Sequence, residues 1–223
     1  STVGLSGYLN QPHDQDQLER SAAIQPELRA IDAYNPMEKL VGWLREHGVT
    51  TLHTGHGPGE LISGQMLIAK TTGDTVSESV LRPYSALAAT LGEGATGHSR
   101  STPGNRSKTV AMLRAKLIEA QEYRAKIEAA EQGESPSRDL AMEALVAVLS
   151  GEVPMVIQAH RHSDIAVERV GLRPEMDTKR RGLDATRTRR HGSEKLRLDG
   201  GEQRRAVSRC GRGHHNKRHC VAA

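Results

Sequence analysis

The stretch Val153-Pro154-Met155-Val156-Ile157-Gln158-Ala159-His160-Arg161-His162-Ser163-Asp164-Ile165 gives the clearest indication of how this chain folds. Helix-like residues lead into it, and an apolar run of strand length then ends abruptly in imidazole and carboxylate groups. Catalytic α/β barrels present metal ligands in this way, on a buried strand with the polar residue at its C-terminal end. The stretch therefore favours an α/β fold with a functional residue at a strand end.

Two histidines in this stretch are candidate metal ligands. His160 and His162 are two residues apart, so on an extended strand their side chains point to the same face. Together with Asp164, they could ligate Zn²⁺ or a related ion. A hydrogen-bonding or helix-capping histidine cluster beside a charged loop is the alternative, and the residues alone leave it open.

Upstream of this stretch, the sequence predicts a helix followed directly by a strand. Asn35 can cap a helix, and Pro36 suits its first position. Apolar residues recur at helical spacing through Leu44, and Gly48 can end the helix. The short β-branched run 49–54 then predicts a strand. A helix that passes into a strand with almost no linker is typical of α/β domains.

The other elements follow from the same periodicities. Residues 1–34 show weak periodicity and predict a loop with short structured pieces, and the Gly/Ser/Thr-rich region 92–108 predicts a surface loop. Strands are predicted over residues 66–70, 84–91 and 153–159, of which 84–91 could also be a buried helix turn. Helices are predicted over residues 110–130, 136–149 and 163–170.

A glycine-rich loop follows the first predicted strand. His56 lies between glycines in residues 55–59, where the backbone can approach a ligand closely, so it is a candidate for a substrate pocket. The alternative is an ordinary turn residue. The loop matches neither the dinucleotide nor the P-loop spacing. Lys70, at the end of the next strand, is expected to snorkel to solvent, and Asp16 is expected to be solvated.

The chain changes character near residue 171. Beyond that point Lys and Arg outnumber Asp and Glu by more than two to one, and large apolar residues almost vanish. Such a segment cannot bury enough apolar surface to offset its ordering entropy. We therefore expect a folded domain over residues 1–170 and a disordered basic tail over 171–223.

Composition and charge limit the kinds of molecule that this chain is expected to bind. The chain has 223 residues, no Phe and one Trp, and its net charge of +4 averages an acidic body with the basic tail. Its two cysteines, Cys210 and Cys220, fit neither a disulfide scaffold nor a four-ligand zinc site. No apolar run is long enough to span a bilayer, so no membrane partner is expected. The tail could contact phosphates, but it has no interleaved aromatics for base stacking, so no specific nucleic-acid partner is expected.

Five motifs in order along residues 1–170 resemble the amidohydrolase superfamily, in the branch of imidazolonepropionase-like and related metal-dependent hydrolases. The motifs are Gln25-Pro26-Glu27-Leu28-Arg29-Ala30-Ile31-Asp32-Ala33-Tyr34-Asn35-Pro36, Gly48-Val49-Thr50-Thr51, Ile62-Ser63-Gly64-Gln65-Met66, Ala159-His160-Arg161 and Asp164-Ile165. Their order is fairly specific for the branch but not for a substrate.

The resemblance implies a fold and an activity. It implies an α/β structure that is part of a (β/α)₈ TIM barrel, with metal ligands at strand ends. It also implies hydrolysis of a non-peptide carbon–nitrogen bond in a small amide or cyclic amide by a metal-bound hydroxide. The implied cofactor is a divalent metal ion, with Zn²⁺ as the leading candidate.

The resemblance carries over to individual residues in part. His160 is implied as the first metal ligand, with His162 beside it, and His56 and Gln65 are assigned to the substrate pocket. Many relatives have His where this chain has Gln158. The His-x-His pair of the family's first strand is missing, because the chain starts at Ser1 where that pair should finish.

These departures lead to a specific expectation. The parent protein is expected to be a metal-dependent amidohydrolase whose natural N-terminus is missing here, and this chain is expected to be inactive. The basic tail is what an out-of-frame translation of a GC-rich gene would give. A non-catalytic protein with the same fold, or a nucleic-acid-binding protein that uses the tail, is the alternative. Compartment and oligomeric state stay undetermined.

Overall fold

A computed structural model of the chain describes residues 1–9, 11–97, 103–130 and 136–171. The predicted basic tail therefore lies outside the described residues, apart from its first position. The strands are β1 (Thr51–Gly55), β2 (Ile62–Lys70), β3 (Val80–Thr90) and β4 (Met155–Gln158). The helices are α1 (Lys39–Glu46), α2 (Val76–Ser79), α3 (Arg106–Ala130), α4 (Leu140–Leu149) and α5 (His162–Gly171). Short 3₁₀ turns lie at Pro12–Asp14, Ala30–Asp32 and Gly92–Ala95.

The four strands form one curled sheet whose order follows the chain, β1-β2-β3-β4. β1 and β2 are antiparallel, as are β2 and β3, whereas β3 and β4 run parallel. Connection length explains these directions. Segments 56–61 and 71–79 are too short for the crossover between parallel strands, which needs about a dozen residues or more. The segment 91–154 is long enough, and it carries α3 and α4.

The main core lies between these two helices and the sheet. Leu113 and Leu117 from α3 and Leu145 from α4 are fully buried. They form one hydrophobic cluster with Ile62 of β2 and Leu87 of β3. The periodic apolar stripes that predicted the two helices are therefore the faces that cover the sheet.

The N-terminal segment packs against a different part of β2. Leu5, Ala30 and Tyr34 form a second buried cluster with Leu67 and Ala69 of that strand. Outside the 3₁₀ turns, isolated bridges such as Arg29 to Gln65 join this segment to β2. The prediction of a loop with short structured pieces is confirmed for the described part of this region.

Two helices begin later than the sequence predicted. α1 starts at Lys39 rather than at Pro36, because extended Glu38 is the cap and its carboxylate accepts a hydrogen bond from the Leu40 amide at 2.6 Å. α4 starts at Leu140 rather than at 136, because the Asp139 carboxylate caps it. In both cases an acidic side chain at the N-cap marks where the helix begins.

The predicted α/β class is confirmed, and the region 84–91 is part of a strand rather than a helix turn. A full (β/α)₈ barrel is not confirmed, because the repeat requires parallel strands throughout and the described sheet has a single parallel pair. Within the described residues, no helix is both long enough and apolar enough to cross a membrane.

Candidate functional site

Three strand ends meet at one edge of the sheet. β3 and β4 run parallel, which brings their last residues, Thr90 and Gln158, side by side. β1 runs in the same direction and ends at Gly55, so His56 lies at this edge too. A cavity of about 280 Å³ opens there, and we call it the edge cavity. Its lining includes His56, Thr90 and Gln158, with apolar walls from Met66, Ala88 and Val156. Catalytic residues of α/β barrels occupy the corresponding position, the carboxyl ends of the strands.

His56 is the most unusual side chain at this edge. It is 9% exposed, and neither ring nitrogen has a hydrogen-bond partner among the described residues. Burial lowers the pKa of the imidazole, and the negative charge of Asp16 opposes that shift in part. The ring is therefore neutral at neutral pH, and its one N–H donor and one lone-pair acceptor are both buried without a partner among the described residues.

A glycine makes room for this ring. A Cβ at Gly64 would lie 2.4 Å from Cδ2 of His56 and 2.8 Å from the Leu28 carbonyl oxygen, and Gly64 has a φ of +136°. Both the contact and the backbone conformation exclude a side chain at this position. The glycines that flank His56 made it a candidate from sequence. A third glycine, Gly64 on strand β2, makes room for its ring.

Gln65 has a structural partner. It is 9% exposed, and its side-chain amide donates a hydrogen bond to the Pro26 carbonyl oxygen at 3.0 Å. It does not belong to the lining of the edge cavity. The assignment of Gln65 to a substrate pocket stays a prediction, and its visible role is to hold the N-terminal segment against β2.

The structure places His160 and His162 on different elements. β4 ends at Gln158, His160 follows the strand, and His162 opens α5, so the expectation that both imidazoles share one strand face is wrong. Both side chains are exposed. Nε2 of His160 lies 3.1 Å from Nε2 of Gln158, at the rim of the edge cavity. Their roles as metal ligands stay predictions.

The described residues do not fit a complete metal centre. Among them, no group of three or more His, Cys, Asp or Glu side chains is arranged to hold a metal ion. A structural zinc site needs four protein ligands, and a catalytic site usually needs three. His160 and His162 could therefore supply at most part of such a site.

Asp164, grouped with the two histidines from sequence, has a different environment. Its carboxylate is 4% exposed and lies 3.1 Å from the Arg106 guanidinium. It also packs on Gly92, where a Cβ would lie 2.2 Å from Oδ2. The Arg106 guanidinium also donates to the Ser163 hydroxyl at 2.8 Å. This ion pair ties the start of α5 to the start of α3 and gives Asp164 a visible structural role.

The structure also reveals groups near His56 that the sequence did not single out. Asp16 is exposed, as expected, and its charge also acts on the His56 ring. The hydroxyl of Thr90 is buried beside the same loop, where it accepts a hydrogen bond from the Gly59 amide at 3.3 Å. No local pattern marks either residue, because each reaches the site through the tertiary fold. Lys70, in contrast, extends to the Thr51 hydroxyl at 3.0 Å, at an exposed position.

Comparison with known proteins supports the fold. An amidohydrolase from Thermotoga maritima has a similar structure, with a TM-score of 0.75 and 25% sequence identity. The match covers 79% of this chain and 47% of that protein, so the chain spans about half of its length. No family model matches the chain, and neither does any curated protein. The described part therefore has an amidohydrolase-like fold.

Proposed function

We propose that the protein serves the hydrolysis of non-peptide carbon–nitrogen bonds in small amides or cyclic amides, and that the edge cavity holds the amide. The observation that carries this proposal is His56, a buried imidazole with two free nitrogens at the carboxyl edge of an amidohydrolase-like sheet. Buried polar groups normally have partners, so an unpartnered pair of nitrogens favours a ligand. Within the amidohydrolase superfamily, the sequence motifs favour the imidazolonepropionase-like branch.

The cavity has groups suited to an amide. The neutral imidazole of His56 can donate to an amide oxygen or accept from an amide N–H. Thr90 accepts one hydrogen bond from the backbone, which leaves its hydroxyl hydrogen for a second acceptor. Met66, Ala88 and Val156 form apolar walls, which strengthen polar contacts by excluding water.

The metal dependence implied by the sequence motifs is not supported by the donor set of the described residues. We therefore assign no chemical step to a metal, and His160 stays a candidate for a single ligand. The described part accounts for binding and positioning, and we expect the chain by itself not to turn over amides.

Binding to the edge cavity can be tested with hydantoin, a cyclic diamide, titrated into the full chain by NMR. Saturable shifts at Val156 and His56 are expected. Val156→Arg should weaken binding by about tenfold or more, because Val156 lines the cavity and is 44% exposed. Ile118→Arg is the matched control, since Ile118 is 42% exposed on α3 and lies outside the cavity.

Two results would overturn the proposal: no saturable binding of hydantoin or of linear N-acyl amides, or equal binding by the Val156→Arg and Ile118→Arg variants. Turnover is measured separately, with and without added Zn²⁺. Metal-dependent hydrolysis by this chain alone would contradict the expected inactivity while leaving the binding site intact.

One alternative has an observation in its favour. The resemblance places Gln158 where many relatives carry His, and its side-chain amide contacts the His160 ring. A non-catalytic protein of the same fold, which binds amides without hydrolysing them, would show such a replacement. Restoring histidine with Gln158→His and finding Zn²⁺-dependent hydrolysis would favour the enzyme over this alternative. The nucleic-acid hypothesis concerns the tail, which lies outside the described residues.

A further inference from the structure

Asp164 lies between the two strand ends that flank the edge cavity. Its carboxylate packs on Gly92, just beyond the end of β3, where a Cβ would lie 2.2 Å from Oδ2. Asp164 belongs to the first turn of α5, the helix that follows β4. Its backbone amide donates to the Arg161 carbonyl oxygen at 3.0 Å, which joins it to the turn after β4. A single buried side chain on the segment after β4 therefore contacts the chain just past β3.

Arg106 holds this carboxylate in place. It opens α3, and its guanidinium lies 3.1 Å from the Asp164 carboxylate. Because the carboxylate is 4% exposed, solvent screens this ion pair less than it screens an exposed one. α3 is itself fixed, since Leu113 and Leu117 are fully buried in the main core. We call the contacts of Asp164 with Arg106 and Gly92 the end clamp.

The strand ends that the end clamp joins form part of the wall of the edge cavity. Thr90 and Gln158 are register partners at the ends of β3 and β4, and both line the cavity. The Leu91 amide donates to the Gln158 carbonyl oxygen at 2.9 Å, which links the two ends. The Gln158 side chain contacts the ring of His160, in the turn that leads to α5. Asp164 does not line the cavity, so it acts on a ligand only through these strand ends.

We propose that Asp164 and Arg106 are positioning residues of the edge cavity, which hold the ends of β3 and β4 together and so set the position of Gln158 and His160 at the rim. β4 has four residues, so few ladder hydrogen bonds hold its end, and the end clamp opposes local opening there. The consequence for amide binding rests on the proposed function, whereas the effect on the rim does not.

The test compares Asp164→Ala with the unaltered full chain. The substitution removes both contacts of the end clamp, and the Arg106 guanidinium left behind is 54% exposed, so its charge stays hydrated. In NMR spectra without ligand, the side-chain amide of Gln158 and the ring of His160 are expected to shift, since their 3.1 Å contact depends on the turn that Asp164 holds. The affinity for hydantoin is expected to fall roughly fivefold.

The matched control is Gly48→Ala. Gly48 is exposed, has a φ of +85° and lies outside the edge cavity, so this variant is destabilised at a distant turn. It should keep the Gln158 and His160 signals and the hydantoin affinity of the unaltered chain. A purely structural role of Asp164 would instead make the two variants behave alike under conditions in which both are folded.

Two results would overturn the proposal. One is unaltered Gln158 and His160 signals in the ligand-free spectra of Asp164→Ala, whether or not hydantoin binds. The other is an equal loss of hydantoin affinity in Asp164→Ala and Gly48→Ala. Absence of hydantoin binding by the unaltered chain would overturn the amide site alone, and the ligand-free spectra would then decide whether the end clamp sets the rim.

Discussion

The loop around His56 and the segment around His160 and His162 look alike in sequence and differ in structure. Each follows a strand and places imidazoles at the same edge of the sheet. His56 is packed between a glycine-rich turn and Gly64 and is almost fully buried, whereas the other two imidazoles are exposed. The difference teaches that an imidazole near a strand end is removed from water only where the backbone packs closely around it. The unpartnered nitrogens of such a buried ring then carry a free-energy cost.

The strongest test of this contrast is Gly64→Ala. The added methyl group would meet both the His56 ring and a carbonyl oxygen at a positive φ, so the free energy of unfolding should fall by about 3 kcal/mol. Gly48→Ala is the control, because Gly48 has a φ of +85° but no atom within 4 Å of the added group. Gly48→Ala should lower the free energy of unfolding by only about 1 kcal/mol. Urea titrations measure both, and equal losses would show that the His56 packing is loose.

Asp164→Asn tests a buried polar side chain that, unlike His56, has a partner. Loss of the Asp164 charge would weaken the contact with Arg106. The free energy of unfolding, measured by urea titration, should fall by about 1–2 kcal/mol. Asp32→Asn removes an exposed ion pair of the same chemistry and should cost less than about 0.5 kcal/mol. A similar loss in both variants would contradict the difference in burial.

The pH dependence of stability should report on His56. Its pKa is lowered by burial in the folded state, so the unfolded chain binds more protons in mild acid. Stability is then present above pH 6.5 and lost as the pH falls from 6.5 through the folded pKa. His56→Leu should flatten this slope, measured as the urea midpoint over about pH 7 to about pH 5.

Part of the slope should remain in that variant, since burial and the charge of the chain's N-terminal ammonium lower the pKa of His53 as well. A slope that survives in full after His56→Leu would mean that the imidazole is protonated or solvated in the folded chain.

The smallest effects are expected at the two exposed histidines. His160→Ala and His162→Ala should each change the free energy of unfolding by no more than about 0.5 kcal/mol, because neither side chain is buried. Zn²⁺ should raise the unfolding temperature of the chain only slightly, and His160→Ala should remove that rise if His160 is a ligand. A large, saturable Zn²⁺ stabilisation lost in both variants would revive the two-histidine site.

The sequence predicted the element types well because the apolar periodicity of α3, α4 and the strands is strong. It missed strand direction, although the short segments 56–61 and 71–79 already excluded parallel neighbours there. It also placed His160 and His162 on one extended face after the predicted strand 153–159, because nothing local shows that His162 is the first residue of α5. Two helix starts lie after the upstream prolines because the carboxylates of Glu38 and Asp139 cap the helices there.

The candidate site was predictable only in part. His56 was identified from its flanking glycines, but its burial depends on Gly64 and on the N-terminal segment, which meet it only after folding. Asp16 comes from a segment of weak periodicity, so its effect on His56 has no sequence signature. Gln65 lies in a recognised motif, yet its amide is used to bind the Pro26 carbonyl oxygen.

The unequal connections of the sheet have a consequence for the order of folding. β1, β2 and β3 are joined by short links, whereas the β3–β4 pair must close the long segment 91–154. Closing a longer loop costs more entropy, and pairing between distant segments slows folding. Pulse-labelling hydrogen exchange should therefore protect the β2 amides first. The Leu87 and Leu91 amides, which donate to the carbonyl oxygens of Pro154 and Gln158, should follow, so the edge cavity closes late.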